Sequence, residues 1–254
     1  MTRRGPIAVV IVAAALGLVT ACGSSSDSAA TTKQATKSAA SATTSTTMDP
    51  NMKMAPGMHM DQGMHMDGPE STMTYDKLPR TTKAEVDQLI AAYAHKYPTG
   101  ADAAKDGWVR ATPSLYGIGA HYTHGIGFPA TPTFDLLHPN MLLYDGDGPD
   151  AKFAGVSYSV NSGTKPKGFT GPYDVWHSHG SVCIKGMTVV SLTEDNSKVW
   201  LSADDCVARG GRVTPIPGDL MIHVWIGPGY FKKAPIFAHD NPKLYDGFLP
   251  QRDA

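Results

Sequence analysis

The chain has 254 residues, of which 41% are hydrophobic and 18% are charged, and its formal net charge is −1. This length is sufficient for one large core together with segments that do not fold. Because the charge is nearly balanced and no run of lysine or arginine occurs, we expect no nucleic-acid partner.

The first 21 residues have the pattern of an export signal. Arg3 and Arg4 give it a positive start, and Ile7 to Val19 are thirteen residues that are all apolar or glycine. An apolar stretch of this length is too short to span a bilayer but suits the apolar part of a signal peptide. Residues 1–21 are therefore predicted to be an export signal peptide.

The end of this signal carries a resemblance to a known class. Val19-Thr20-Ala21-Cys22 resembles the lipobox of bacterial lipoproteins. The resemblance implies that residues 1–21 are a lipoprotein signal peptide, that cleavage occurs before Cys22 and that lipid is attached to Cys22. A plain secretion signal is the alternative. It also implies an extracytoplasmic protein that is anchored to the cell membrane through this N-terminal lipid.

Residues 22–47 have the composition of a disordered tether. From Gly23 to Thr47 the chain consists almost entirely of Ser, Thr, Ala and Gly. Such a segment has no apolar periodicity and cannot bury enough surface to offset the entropy of ordering. We therefore expect it to separate the lipid anchor from the rest of the protein.

Residues 48–74 form a Met/His-rich segment. Eight methionines and two histidines occur between Met48 and Met73. A six-residue repeat places Gly-Met-His-Met-Asp at 57–61 and again at 63–67. Thioethers select Cu(I), whereas imidazole binds both oxidation states of copper. The predicted ligands in this segment are Met52, Met54, Met58, His59, Met60, Met64, His65 and Met66.

This segment resembles the Met-rich segments of exported bacterial copper-resistance proteins, which implies copper binding. Silver is an alternative, because sulfur and nitrogen donors do not distinguish it from Cu(I). The competing interpretation is a low-complexity linker that happens to use methionine. Ordinary linkers favour Gly, Ser and Pro, and exposed methionine is readily oxidised, so metal binding is the leading hypothesis.

Residues 75–254 are predicted to form a single folded domain. Thr82-x-x-Glu85 has the form of a capping box ahead of apolar residues at helical spacing, and a second short helix is predicted at 101–106. Strands separated by turns are predicted at 141–144, 152–160, 173–184, 187–191, 198–201 and 219–226. Ser202 is predicted to cap a brief helix. Helices followed by strands indicate an α+β fold whose main body is a mainly antiparallel β-sandwich or a small cupin-like barrel.

The main candidate site lies at 171–180, Gly-Pro-Tyr-Asp-Val-Trp-His-Ser-His-Gly. On an extended strand His177 and His179 project to the same face, so both imidazoles could bind one metal ion. The alternative is a pair of polar aromatic side chains that line a wet groove. Tyr173 and Asp174 are interpreted as possible supporting or acid–base residues beside the pair.

Gly171, five intervening residues and then His177-x-His179 resemble the opening of the first cupin motif. The resemblance implies a small β-barrel that holds a metal through two histidines, a glutamate and a further histidine. The sequence departs from this pattern, because Cys183 or Ile184 stands where cupins place the glutamate. The further histidine would be His223.

The other histidines are weaker candidates. His223 lies in an otherwise apolar stretch, 220–226, where it is either a core histidine bonded to backbone or a ligand. His121 and His124 lie in a glycine-rich stretch that suggests a loop; in a turn both could face one site, but in a strand they could not. His138 and His239 are interpreted as surface residues.

The chain contains three cysteines. If Cys22 carries lipid, Cys183 and Cys206 remain, and an oxidising compartment favours a disulfide between them. The alternative is that Cys183 is a thiolate ligand beside the histidine pair. Such a soft site would suit copper but would leave Cys206 unpaired.

Together these features predict a lipid-anchored, extracytoplasmic protein that sequesters or transfers copper, with a copper-handling protein as a candidate partner. The sequence has no nucleophile motif, P-loop or dinucleotide glycine pattern, so an enzyme is the less favoured class. The alternatives are a metal-dependent, cupin-like enzyme of the cell envelope, with copper or another transition metal in its domain, and an envelope interaction module without metal.

Overall fold

A computed structural model describes residues 65–66, 72–125, 129–193, 199–216, 219–232 and 234–253. All of them belong to one unit of the chain, Lys53–Ala254. The fold is α+β, with a few short helices and mainly antiparallel sheets, as the order of predicted elements indicated. Within the described residues, no helix has the length and apolar character needed to cross a membrane.

A helical layer comes first in the domain. A 3-10 turn at Tyr75–Lys77 precedes α1, Arg80–Leu89, which continues as a π-helical turn over Ile90–Ala94. The second helix, α2, spans Gly100–Lys105 and begins at Thr99, whose hydroxyl accepts a hydrogen bond from the Asp102 amide. These positions agree with the predicted helices to within a few residues.

The predicted capping box at the start of α1 is not formed. The helix begins earlier, after Pro79, which makes no side-chain cap. Thr82 instead donates to the Thr170 carbonyl at 2.6 Å, and the Glu85 carboxylate accepts from the Thr170 amide at 2.8 Å. Both side chains therefore hold the segment that leads into the histidine pair, rather than the helix end.

The larger sheet has seven strands in the order β1-β6-β10-β5-β4-β3-β2. The predicted hairpin is confirmed by the antiparallel pairing of β4 with β5. β5 is buried along almost its whole length, which fits its central place in the sheet. The strands of this sheet are β1 His65–Met66, β2 Trp108–Arg110, β3 Ala120–His124, β4 Met141–Asp145, β5 Lys152–Val160, β6 His177–Ser178 and β10 Leu220–Val224.

The two faces of this sheet bury different residues, because side chains alternate along each strand. On one face large apolar residues pack with α1 and α2 into the main core, which includes Val86, Leu89, Tyr144, Tyr158 and Trp176. We call this the helix face. The opposite face carries the inward histidines of β3, β6 and β10, and we call it the histidine face.

A smaller sheet has the order β8-β7-β9, with β7 at Ser181–Lys185, β8 at Thr188–Leu192 and β9 at Arg212–Pro215. Apolar residues of β7 and β8 line a cavity together with histidines of the larger sheet. The smaller sheet therefore covers the histidine face, as one layer of a sandwich covers the other.

The predicted single strand at 173–184 is wrong in one respect. The chain forms two strands in this region, β6 in the larger sheet and β7 in the smaller one, with Gly180 between them. The change of sheet places His179 just after β6, between the two layers. It also separates the histidine pair from Cys183, which lies in the smaller sheet.

A disulfide joins Cys183 of β7 to Cys206 of α3, Ala203–Ala208. As predicted, Ser202 caps this helix by accepting a hydrogen bond from the Asp205 amide. A Cβ atom at Gly211 would lie 2.6 Å from the sulfur of Cys183, so a side chain there would collide with the disulfide. The chain ends with a 3-10 turn at Pro242–Leu244 and α4 at Pro250–Asp253.

Candidate metal centre

Five buried histidines come together on the histidine face. His121 is in β3, His177 is in β6, His179 follows β6, and His223 is in β10, while His239 lies in the C-terminal segment. Histidine is only intermediate among residue types in how often it is buried, so five buried histidines in one place call for an explanation. We call these five residues the histidine cluster.

Strand register explains why these side chains share a face. In the ladder between β6 and β10, His177 stands directly opposite Met221. His223 is two residues beyond Met221 and therefore projects to the same side. Residues that are widely separated in sequence thus meet because antiparallel neighbours lie side by side.

The same alternation separates His121 from His124. The glycine-rich stretch forms a strand, β3, rather than the predicted loop. Three positions apart on a strand, the two residues face opposite ways. His121 is buried in the cluster, whereas His124 is exposed and its ring lies over Trp108 with centroids 4.0 Å apart. The structure therefore does not bring His124 to the site.

The tightest part of the cluster is formed by His177, His179 and His239. One ring nitrogen from each of these residues lies within 4.8 Å of the others. The ring centroid of His177 is 5.1 Å from that of His179 and 4.5 Å from that of His239. Three imidazoles this close form a set that could hold one transition-metal ion after small ring rotations.

His223 and His121 extend the cluster further along the sheet. The ring centroid of His223 is 5.1 Å from that of His177, and that of His121 is 5.5 Å from His223. His223 thus links the close triad to His121. Both residues were predicted as ligands, and the structure places both beside the predicted pair.

Hydrogen bonds fix the tautomer of His223. Its Nδ1 lies 2.8 Å from the His239 carbonyl oxygen, which can only accept, so Nδ1 carries the proton. Nε2 then presents a lone pair, and this buried atom has no hydrogen-bond partner among the described residues. A protonated nitrogen bonded to backbone and a second nitrogen with a lone pair are typical of a metal-binding imidazole.

His239 also has one ring nitrogen held by a neighbouring group, in this case a carboxylate instead of a backbone carbonyl. Its Nδ1 lies 2.6 Å from a carboxylate oxygen of Asp240. A carboxylate beside a ligand histidine fixes the ring orientation and makes the other nitrogen a better donor. His239 was interpreted from the sequence as a surface residue, but it is buried at the centre of the site.

His177 has the least satisfied side chain in the cluster. Both of its ring nitrogens are buried, and neither has a hydrogen-bond partner among the described residues. Leaving a buried polar atom without a partner costs about 1–3 kcal/mol. Native proteins tolerate few such atoms, and each one calls for an explanation, such as an ion.

Burial keeps three of these imidazoles neutral, those of His121, His177 and His223. Burial lowers the pKa of His121 to about 3, with a smaller contribution from repulsion by His179 and His239. Burial also lowers the pKa of His177 and of His223 well below the usual value, again with repulsion from neighbouring histidines. Only a neutral imidazole has a lone pair for a metal, so these three side chains can act as metal ligands at neutral pH.

A small cavity of about 20 Å3 adjoins the cluster. That is room for about one water-sized group. The cavity lies between the two sheets, and its lining includes both imidazole and thioether groups. It is lined by His121, His179, Met221, His223 and apolar residues that include Val182, Val189 and Leu192.

Asp174, which precedes the histidine pair, has a structural role. The Asp174 carboxylate accepts hydrogen bonds from the Trp176 indole at 3.0 Å and from the Phe169 amide at 3.2 Å. It therefore fixes the turn before β6 instead of facing the cluster. His138, by contrast, is an exposed residue paired with Asp135, as its sequence context suggested.

The remaining predicted site residues are Cys183, Cys22 and those of the Met/His-rich segment. Cys183 is part of the disulfide, so it cannot serve as a thiolate ligand. Cys22 and the predicted ligands Met52, Met54, Met58, His59, Met60 and Met64 lie outside the described residues, and of His65 and Met66 only the strand β1 is described.

Comparison with protein families, with curated proteins and with solved structures found no match to this chain.

Proposed function

We propose that this protein binds copper in the histidine cluster, and that it sequesters or transfers the metal outside the cytoplasm. The observation that carries the proposal is His177, a buried imidazole whose two ring nitrogens have no hydrogen-bond partner among the described residues and whose ring contacts three other buried imidazoles, those of His179, His223 and His239. A bound ion would satisfy these donors together.

The choice of copper rests on the donor chemistry of the whole chain. An imidazole set suits zinc, copper, iron or nickel, whereas thioethers select Cu(I). The Met/His-rich segment adds many thioethers, and Met221 lies among the lining residues of the cavity. Copper is the metal that both parts of the chain would bind.

The Met/His-rich segment would serve as the capture site and the histidine cluster as the storage site. Thioether ligands are neutral and exchange readily, while buried imidazoles held by backbone and carboxylate groups bind more firmly. The strand pairing of His65–Met66 with β6 supports this sequence of events, because it brings part of the segment to the strand that carries His177. The anchor at Cys22 would keep both sites at the membrane surface.

Metal binding is favoured here over catalysis. The cavity beside the cluster has room for about one water-sized group, whereas organic substrates occupy pockets of about 300–1,000 Å3. The close triad is made of imidazoles alone, and Cys183, one of two candidates for the cupin glutamate position, is in a disulfide. These features suit a site that holds an ion rather than one that transforms a substrate.

The direct test compares copper binding by the full-length protein and by a His177→Ala/His179→Ala variant. Competition with a chromophoric Cu(I) chelator would measure both the number and the affinity of the sites. We expect the variant to lose the tightest site and to keep the weaker binding of the Met/His-rich segment. His138→Ala is the matched control, because it removes an exposed histidine away from the cluster. Equal binding by all three proteins would contradict the proposal.

A further inference from the structure

A second group of donor side chains lies beside the close triad on the histidine face. The triad consists of His177, His179 and His239, so His121 and His223 are two further buried imidazoles. The ring centroids of these two residues are 5.5 Å apart. A tetrahedral transition-metal ion takes about four ligands. The five imidazoles of the histidine cluster therefore exceed the number that one such ion uses.

Met221 adds a thioether to this second group. It precedes His223 by two positions on β10, so that both side chains project to the same face of the sheet. Both residues line the cavity of about 20 Å3 together with His121. Two imidazoles and one thioether thus border a space with room for about one water-sized group. We call His121, Met221 and His223 the cavity donors.

Two buried polar atoms on this part of the sheet have no hydrogen-bond partner among the described residues. One is Nε2 of His223, and the other is the hydroxyl of Ser157. Ser157 stands directly opposite His223 in the ladder between β5 and β10. Side chains in that relation share a face and have Cβ atoms about 4.5–5.5 Å apart. Two neighbouring atoms of this kind call for an explanation, such as an ion or a buried water molecule.

We propose that the cavity donors bind a second Cu(I) ion beside the one held by the close triad. This inference rests on the proposed copper-binding function and extends it from one ion to two in the histidine cluster. His223 would bind through Nε2, because its Nδ1 donates to the His239 carbonyl. Met221 would bind through its sulfur, and His121 would supply the third ligand.

The neutral character of the cavity donors favours a monovalent ion. Burial lowers the pKa of His121 and of His223, so both imidazoles are neutral at neutral pH, and a thioether carries no charge. At a given separation, two divalent ions repel each other about four times as strongly as two monovalent ions. Neutral ligands do not offset this repulsion. The thioether itself also selects Cu(I).

The two sites would be direct neighbours, because they are built from shared residues. His179 belongs to the close triad and also lines the cavity. His239 contributes its ring to the triad and its carbonyl to the position of His223. Met221 stands opposite His177 in the ladder between β10 and β6. Filling one site should therefore weaken binding at the other by repulsion between the ions.

Counting the bound ions tests the second site. The full-length protein and a His121→Leu/Met221→Leu variant would compete for Cu(I) with a chromophoric chelator. We expect the variant to bind one Cu(I) fewer and to keep the tightest site. Met187→Leu is the matched control, because it removes an exposed thioether that does not line the cavity, and it should bind as many ions as the wild type. Met221→Leu, which nearly conserves volume, takes the place of the double variant should the latter not fold.

The methyl resonance of Met221 tests the thioether ligand directly. In full-length protein labelled with [methyl-13C]methionine, the resonance is identified by its loss in Met221→Leu. Ag(I), a diamagnetic analogue of Cu(I), should shift it, whereas Zn(II) should change it far less, because a thioether is a soft ligand. The exposed Met187 is an internal control, and its resonance should move with neither ion at the same concentrations.

The inference requires both the lost ion and the Ag(I)-dependent shift at Met221, and the absence of either overturns it. With neither result, a water molecule is the occupant of the cavity. The proposed function has a separate test in the His177→Ala/His179→Ala variant. If that variant loses the tightest site while the cavity variant binds as the wild type does, copper binding stands and only the second ion is rejected. If the triad variant has no effect, the proposed function itself fails.

Discussion

The two faces of the seven-stranded sheet are made by the same strands but differ in how their polar atoms are satisfied. On the helix face, the Tyr144 hydroxyl donates to the Tyr97 carbonyl at 3.0 Å, and the Trp176 indole donates to Asp174 at 3.0 Å. These large side chains bury their rings and still give their polar atoms a partner. Their placement is what a stable core requires.

The histidine face is arranged differently. His177 and the Nε2 atom of His223 are buried without a hydrogen-bond partner among the described residues, and so are the hydroxyls of Ser157 and Ser159 on β5. The alternation of side chains along a strand thus places residues for folding on one side and a concentration of unsatisfied donors on the other. Trp108 is an exception on the helix face, because its buried indole nitrogen also has no partner among the described residues. The larger number of such atoms on the histidine face supports the proposal that this face binds a ligand.

The largest expected effect is a difference in the free energy of unfolding between variants of Trp176 and His177, which are adjacent in sequence but lie on opposite faces of the sheet. Trp176→Ala should lower the free energy of unfolding of the apo protein by about 3–5 kcal/mol, because it leaves a large cavity in the core. His177→Leu should change it by less than about 1.5 kcal/mol, or raise it, because it removes two unsatisfied nitrogens at similar volume. Urea denaturation measures both, with Trp176→Phe as a milder variant should the alanine variant not fold. Equal losses would show that His177 is a structural core residue.

The next largest effect is expected in the pH dependence of the free energy of unfolding, to which the buried imidazoles of the histidine face contribute. The folded state keeps His121 neutral down to about pH 3, while the unfolded chain takes up a proton below its ordinary pKa of about 6.5. Stability is therefore full above pH 6.5 and falls as the pH decreases toward 3, by about 1.4 kcal/mol per pH unit for this imidazole. His177 and His223, with pKa values lowered in the same direction, steepen the fall.

The check is urea denaturation of the apo protein at several pH values. His121→Leu should reduce the slope below pH 6.5, whereas His138→Ala, which changes an exposed histidine, should leave it unaltered. A stability profile that is flat between pH 6.5 and 5 would contradict the view that the histidine cluster is buried in its neutral form.

A smaller effect on copper affinity is expected from Asp240, whose carboxylate contacts the proposed ligand His239. Asp240→Asn should weaken copper binding by about tenfold, because the carboxylate that orients His239 is lost. Asp135→Asn is a matched control, since that carboxylate also pairs with a histidine, His138, but on the surface. Chelator competition should show a change only for Asp240→Asn. The same change in both variants would indicate a general effect of charge.

The smallest effect is expected at His124. His124→Ala should leave the number of bound copper ions unchanged and alter stability by less than about 1.5 kcal/mol, the scale of its aromatic contact with Trp108. Metal analysis and urea denaturation would measure these two quantities. Loss of one copper ion would mean that β3 presents both of its histidines to a site.

Local patterns predicted those parts of the fold that depend on near neighbours. The hairpin of β4 and β5 and the Ser202 cap of α3 were read from short stretches of sequence, and the structure confirms them. The capping box of α1 was wrong because Thr82 and Glu85 are used instead to hold Thr170, 85 or more residues away. Such long-range competition for a side chain leaves no local trace.

The site was only partly predictable for the same reason. The His-x-His spacing identified His177 and His179, and the apolar surroundings of His223 suggested burial. His239 was missed because its stretch has no strand pattern, and only the ring contacts show that it belongs to the cluster. The adjacent Asp240 was the one available signal, as a carboxylate beside histidine is common behind metal ligands.

The most direct test of the central claim is a crystal structure of the copper-loaded, full-length protein with anomalous data collected at the copper absorption edge. We predict an anomalous peak bonded to ring nitrogens of His177, His179 and His239, the residues whose donor atoms lie within 4.8 Å of one another. Copper bound elsewhere, with no peak in the histidine cluster, would contradict this account.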